Sequence, residues 1–292
     1  MLYQAELRAL ILLTVRQGFI KVPLGFAAMQ DTSTTEGPAF ERLLEGITLA
    51  FERYELIEVA GKGGQSLVYS AVDRRTGVHV ALKTSRLVTA DHLAHERETL
   101  HRLAQRGIAG IPSVYDFSKE YLALTFLPGE PLHQHPIFGM LEDRARRLLP
   151  LCDTLSSVHG TGYAHGDIKP ANVLLGREPA LIDFGSARPI RSPPHEKCVG
   201  TLRYFSPEQH QGVTSAESDQ YSLAIVFYEF LTRQRLPFPT HWPDMDSSLI
   251  SLDALPLELR PAMSRALAHS PQERYASVSD FKKDLESALQ RL

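Results

Sequence analysis

The sequence predicts an α+β fold, on three observations. Short runs alternate with period two: Tyr54, Leu56 and Glu58; Leu67, Tyr69 and Ala71; Val78, Val80 and Leu82. That period belongs to strands. Asp91–Ala104 instead has helical spacing, with Leu100 and Leu103 one and two turns beyond Glu96. Later, Ser218-Asp219-Gln220-Tyr221-Ser222-Leu223 opens an apolar helix.

The first two alternating runs flank Gly61-Lys62-Gly63-Gly64-Gln65-Ser66-Leu67-Val68. Alternation around a glycine cluster predicts a hairpin with a mobile tip. Glycines let backbone N–H groups approach an anion with no Cβ in the way. Taken alone, such a cluster is an ordinary glycine-rich turn. The third run predicts a strand with Ala81 and Lys83 on the face opposite Val80 and Leu82, and Lys83 lies 22 residues beyond Gly61. The helix that follows takes Asp91 as its N-cap. It carries two carboxylates toward its middle, Glu96 and Glu98. Glu98 shares its face with Arg102, a poor core residue, whereas Glu96 shares its face with two leucines, so Glu96 is the one expected to face inward. Residues 121–129 read as a buried strand running into a loop.

Residues 164–175 read Ala-His-Gly-Asp-Ile-Lys-Pro-Ala-Asn-Val-Leu-Leu, and residues 182–185 read Ile-Asp-Phe-Gly. Asp167 and Asn172 are five apart, and Asn172 and Asp183 eleven apart. This spacing suits a loop, a short strand pair and a second loop. The four side chains are an Asp to orient a hydroxyl (Asp167), a Lys for a phosphate (Lys169), and an Asn and an Asp for a metal ion (Asn172, Asp183). Phosphoryl transfer from ATP needs those charges and little covalent chemistry.

In this order the segments resemble the eukaryotic-like (Hanks-type) serine/threonine protein kinases, in particular small soluble bacterial ones, from residue 51 to residue 292. The resemblance implies a bilobal fold. A β-rich N-lobe would run from about 51 to 124, a hinge from 125 to 129 and a mainly helical C-lobe from 130 to 292, with residues 1–50 as an extension and linker. It implies ATP and Mg²⁺ as cofactors, with Mn²⁺ as a substitute. Gly61, Lys62, Gly63, Gly64, Gln65 and Ser66 would cover the phosphates, Ser66 standing where the third glycine usually is. Val68, Ala81 and Leu174 would pack adenine, Leu124 would back the pocket, and the backbone at Thr125, Phe126 and Leu127 would hydrogen-bond the base. Lys83, held by Glu96, would take the α- and β-phosphates, and Asn172 and Asp183 the metal. Asp167 would orient the acceptor hydroxyl while Lys169 neutralises the moving phosphoryl group. The Lys169-Pro170 pair and Thr201 resemble the Ser/Thr branch. Gly200-Thr201-Leu202-Arg203-Tyr204-Phe205-Ser206-Pro207-Glu208 resembles the substrate-docking loop, with Ser206 in place of Ala. Asp219 would anchor the catalytic loop, and Arg274 would pair with Glu208.

The clearest departure is Gly166, where most regulated kinases have an Arg that pairs with a phosphorylated activation loop. Between Arg188 and Val199 only Ser192 carries a hydroxyl, and Glu196-Lys197 stand where a phosphosite is expected. Activity independent of activation-loop phosphorylation is therefore expected. Cys198 reads as a bland small residue rather than a redox switch.

The 292 residues are 43% hydrophobic and 22% charged, which suits a globular chain. The net charge is −3, from 31 basic and 34 acidic residues, with no dense basic stripe, so nucleic acid is not an expected partner. Two cysteines make no disulfide framework, and no apolar run reaches the ~20 residues of a membrane span. A cytoplasmic protein is expected, monomeric or weakly dimeric, acting on protein Ser/Thr acceptors (itself included), with a cognate phosphatase reversing the modification. Residues 31–38 read as a linker, and Met29 offers a second start that would leave residues 1–28 outside the native protein. Two rivals remain. A small-molecule phosphotransferase shares His-Gly-Asp but lacks the peptide-docking loop. A pseudokinase scaffold would have lost Lys83, Asp167 or Asp183.

Overall fold

The computed structural model describes residues 52–62, 66–85, 91–136, 139–194, 200–236 and 250–292. The extension at 1–50, the glycine-loop tip Gly63-Gly64-Gln65, the side chain of Lys62, and Glu196, Lys197 and Cys198 lie outside the described residues. Two compact units are present. One takes the chain as far as Arg97 together with Val114–Phe126, and the other comprises Glu98–Ser113 and Leu127–Leu292.

The first unit holds β1 (Tyr54–Lys62), β2 (Ser66–Asp73), β3 (His79–Ser85), β4 (Val114–Phe117) and β5 (Tyr121–Thr125). They form one antiparallel sheet in the order β1-β2-β3-β5-β4. Tyr54, Tyr69, Ala71, Val80, Leu82, Tyr121 and Ala123 make its core. Each large apolar side chain so buried contributes about 1.5–3 kcal/mol. Alternation fails in part. Register shifts fall between Leu56 and Glu58 and between Val59 and Gly61, and Ile57 and Val59 face solvent. An extra residue at a bulge turns the following side chains to the other face. Val78 lies outside β3 and is exposed. At one end of the sheet Arg53 donates to Asp73 and Asp116, and Asp116 also accepts from the hydroxyls of Tyr54 and Tyr121. The Arg53 hydrogen bond is the main reason the Asp73 carboxyl is held down to about 2.

Helix α1 (Asp91–Ala104) has the expected span, but Asp91 is its first residue rather than the cap before it. A carboxylate in the first turn still meets the positive end of the helix dipole. Leu93, Glu96, Thr99, Leu100 and Leu103 are buried, the three- and four-residue stripe of a helix packed on one side.

The second unit is mainly helical. Its elements are β6 (Glu130–Pro131), α2 (Leu141–Leu148), α3 (Pro150–His159), β7 (Tyr163–Ala164), β8 (Val173–Leu175), β9 (Pro179–Leu181), β10 (Arg188–Pro189), α4 (Ala216–Thr232), α5 (Arg260–Ala266) and α6 (Val278–Leu289). Helix α4 is buried continuously from Ser218 to Tyr228, which explains why its sequence is apolar all round. It starts before the expected Ser218, because Ser215 accepts from the Ser218 N–H at 3.2 Å and caps it. Two small antiparallel sheets, β6-β8-β9 and β7-β10, frame the loops at 165–172 and 182–187. The fold is thus α+β, a five-stranded antiparallel sheet unit and a helical unit. Among the described residues no helix is long and apolar enough to cross a membrane.

Candidate active site

Within the sheet unit, β3 sets Lys83 opposite Val68 of β2 and Leu122 of β5. Its ammonium meets the Glu96 carboxylate at 2.6 Å, with only 7% and 1% of the two side chains exposed. Glu98 instead pairs in solvent with Arg102, one turn on. Ala81 lies opposite Leu124, and Leu124 is buried while Val68 and Ala81 are half-buried. Thr125 ends β5. The ring of Phe126 stacks on His79 with centroids 3.8 Å apart. Gly61 pairs with Val68, and Ser66 opens β2 as a buried residue.

In the helical unit, Asp167 is 9% exposed and tightly held. Its Oδ1 accepts from the Thr201 N–H at 2.9 Å, and its Oδ2 accepts from Lys169 Nζ at 2.6 Å and from Asn172 Nδ2 at 3.1 Å. Lys169 also donates to the Thr201 hydroxyl at 2.8 Å. Charge-assisted bonds of this kind fix both orientation and register. Asn172 Nδ2 donates as well to the Asp167 carbonyl at 2.8 Å, so the amide nitrogen is committed and the side-chain oxygen is the ligand atom left. The β8–β9 hairpin folds back until the Ile182 N–H donates to the Asn172 carbonyl at 2.9 Å, which brings Asp183 alongside. Asp183 has φ +65°, a left-handed conformation that costs a residue with a Cβ about 1–3 kcal/mol. Leu174 lies half-buried in β8.

Sequence reasoning gave no role to two histidines. His165 Nδ1 accepts from the Asp167 N–H at 3.2 Å, and its Nε2 donates to the Ile182 carbonyl at 3.1 Å while the ring stands edge-on to Phe184. These partners assign the Nε2–H tautomer. Asp219, the expected anchor, accepts from the N–H groups of His165 at 2.7 Å and Gly166 at 2.8 Å, and His159 joins it at 2.8 Å. Only the His-Gly-Asp motif hinted at His165. His159 has no local signal, because its partner is 60 residues away.

The segment 200–208 is anchored by Glu229 of α4, which accepts from Arg203 at 2.8 Å and from the Tyr204 hydroxyl at 3.0 Å. Burial and the Glu229 charge push that hydroxyl up to about 12. Arg274 makes a bidentate pair with Glu208, at 2.7 and 2.9 Å.

Comparison with sequence families matches the protein kinase domain over residues 54–285. The chain belongs to the protein kinase family. Curated relatives include a probable serine/threonine-protein kinase PknB of Bifidobacterium longum, 31% identical over 81% of this chain and 40% of that protein. The probable serine/threonine-protein kinase SCO3848 of Streptomyces coelicolor is 31% identical over 81% of this chain and 40% of its own length. The serine/threonine-protein kinase PknB of Mycobacterium tuberculosis is 32% identical over 80% and 42%. This chain spans about two fifths of the length of these curated relatives.

Protein kinases in general use ATP with Mg²⁺. The residues here fit that need. Mg²⁺ takes oxygen ligands from one or two protein side chains and completes its shell with phosphate oxygens and water. Asn172 and Asp183 carry such oxygens, and the Ile182 N–H on the Asn172 carbonyl sets their backbones side by side. Among the described residues no group of three or more His, Cys, Asp and Glu side chains could hold a metal alone. A site completed by phosphate and water needs no such group.

Proposed function

We propose that this chain is an ATP-dependent serine/threonine protein kinase, transferring the γ-phosphate to Ser or Thr hydroxyls of proteins and of itself. The observation that carries this reading is the grip on Asp167. Its carboxylate is bound at once by Lys169, Asn172 and the Thr201 backbone of the segment that resembles a peptide-docking loop.

Lys83, braced by Glu96, would hold the α- and β-phosphates, which the kinase resemblance has residues 61–66 cover. The kinase resemblance assigns adenine to Val68, Ala81, Leu124 and Leu174, and its edge to the backbone of 125–127. Asn172 and Asp183 would hold Mg²⁺, or Mn²⁺ in its place, and the ion would supply neutralisation of phosphate charge. Asp167 orients the acceptor hydroxyl in line with the γ-phosphorus and takes its proton, while Lys169 offsets charge on the moving group. We assign the catalytic domain to residues 51–292, with its hinge at 125–129 and residues 1–50 as an extension. Protein substrates, a reversing phosphatase, a monomeric or weakly dimeric state and a cytoplasmic location belong to the same reading.

The test is label transfer from γ-labelled ATP with Mg²⁺ or Mn²⁺, comparing wild type with Asp167→Ala on a generic basic protein acceptor. Label on Ser or Thr that disappears in the variant is expected. Transfer that survives Asp167→Ala, or a wild type that binds ATP–Mg²⁺ without labelling any protein, overturns the reading.

A further inference from the structure

We propose that Gln209 is a positioning residue for phosphoryl transfer, tying the loop that carries Asp167 to the segment that docks the acceptor. The inference rests on the reading of Asp167 as the residue that orients the hydroxyl.

Gln209 lies in the short turn Pro207–Gln211 and is 4% exposed. One end of its amide does local work. Oε1 accepts from the Ser206 N–H at 3.0 Å and from the Ser206 hydroxyl at 3.3 Å, half of a capping box. A glutamate would serve there equally well. The other end does something a glutamate cannot. Nε2 donates to the Gly166 carbonyl at 3.1 Å, 43 residues back along the chain.

That carbonyl belongs to the peptide unit joining Gly166 to Asp167. The N–H of the same unit donates to His165 Nδ1 at 3.2 Å. A peptide unit is planar, so a partner on each edge fixes the plane and with it the Cα of Asp167. The preceding N–H, that of Gly166, is held by Asp219 at 2.8 Å. The segment bearing Gln209 also grips the Asp167 side chain, through the Thr201 N–H at 2.9 Å. Docking segment and Asp167 are therefore joined twice, once through the carboxylate and once through the backbone behind it. Two glycines make the approach close enough. A Cβ on Gly166, at φ +78°, would lie 2.8 Å from the Ser186 carbonyl oxygen. One on Gly200, at φ +130°, would lie 2.6 Å from the Phe205 ring and 3.2 Å from the Gly166 carbonyl oxygen.

The experiment compares Gln209→Glu and Gln209→Met with wild type and Asp167→Ala, measuring kcat and KM for a Ser/Thr acceptor and for ATP–Mg²⁺, with melting temperatures alongside. Glu keeps the acceptor for Ser206 but sets a carboxylate against the Gly166 carbonyl, whereas Met keeps the length and removes both bonds. Both variants are expected to lose about tenfold or more in kcat, since misplacement by ~1 Å costs on the order of 10²-fold. The KM for ATP is expected to stay within about twofold, and both variants to melt below wild type, Met through the lost cap and Glu through a buried carboxylate facing a carbonyl. A Glu variant that turns over like wild type overturns the proposal. So does a loss matched in both variants by an equal loss of ATP-binding protein, because that is a folding defect. If Asp167→Ala transfers normally, both this proposal and the role of Asp167 fall. If it is dead while Gln209→Glu is unimpaired, only the tether falls.

Discussion

Lys83 and Glu96 illustrate what a single buried pair commits a protein to. The two charges meet at 2.6 Å in nearly dry surroundings. Removing one partner leaves the other charged and buried, which costs about 3–5 kcal/mol, whereas replacing both with apolar groups is often close to neutral. Lys83→Met is therefore expected to abolish transfer and to destabilise the chain by about that amount. Adding Glu96→Leu should recover most of the stability and none of the activity. Urea unfolding with a labelled-ATP assay on the three variants checks this, and a double variant no more stable than Lys83→Met would refute it. The choice between Glu96 and Glu98 is readable from helical spacing alone, because only one shares a face with leucines. The commitment of the Phe126 ring to His79 is not readable, since it joins residues 47 apart across strands.

At the scale of elements, the loop at 165–167 is defined by what surrounds Gly166. The sequence shows only that an arginine is missing there. The structure adds that no side chain fits, since φ is +78° and the Ser186 carbonyl stands where a Cβ would go. The backbone there is held by the Asp219 carboxylate, which accepts from the Gly166 N–H, and by the Gln209 amide, which donates to the Gly166 carbonyl. Ser192→Ala is accordingly expected to keep wild-type turnover. Gly166→Arg, which would restore the arginine of regulated relatives, is expected to destabilise by about 1–3 kcal/mol through backbone strain and to lower kcat. A phosphatase-treated wild type that loses activity, or a Gly166→Arg chain as stable as wild type, would contradict this. Strand β1 teaches the same lesson. Its alternation predicts a strand correctly, yet two bulges decide which side chains are buried.

Across the whole helical unit, one residue closes the structure on itself. Arg274 is 2% exposed and spends its donors on Glu208, on the carbonyls of Glu217, Ala268 and His269, and lies 4.8 Å from the Tyr221 ring. Burial alone would raise the Glu208 carboxyl, but the Arg274 hydrogen bonds and charge outweigh it and hold the group below its ordinary value. A depressed folded value means that Glu208 adds stability above the unfolded carboxylate range near pH ~4.3, and that this contribution is lost as pH falls through the lower folded value. Arg274→Met should cost about 3–5 kcal/mol at pH 7, because Glu208 is left charged and buried. The gap to wild type should narrow as pH falls from ~7 toward ~4, because burial raises the Glu208 carboxyl once Arg274 is gone and lets it protonate. Melting curves from pH 3 to 8 measure this, and a gap independent of pH would show that the loss is one of packing.

The sequence by itself determined the α+β class, the strand and helix periods, the candidate charges at 83, 96, 167, 169, 172 and 183, and the long-range partners implied by the kinase resemblance. These are legible because they rest on local periodicity or on short motifs whose spacing is set by one loop or one hairpin. Only the tertiary structure decided where the strands bulge, which helix residue begins α1 and α4, what His159 and His165 hold, and that Gln209 reaches the backbone behind Asp167. Apart from the helix starts, those depend on a hydrogen bond or register between separated segments of the chain, and such partners meet only once the core has packed and the backbone groups between them have nowhere else to go.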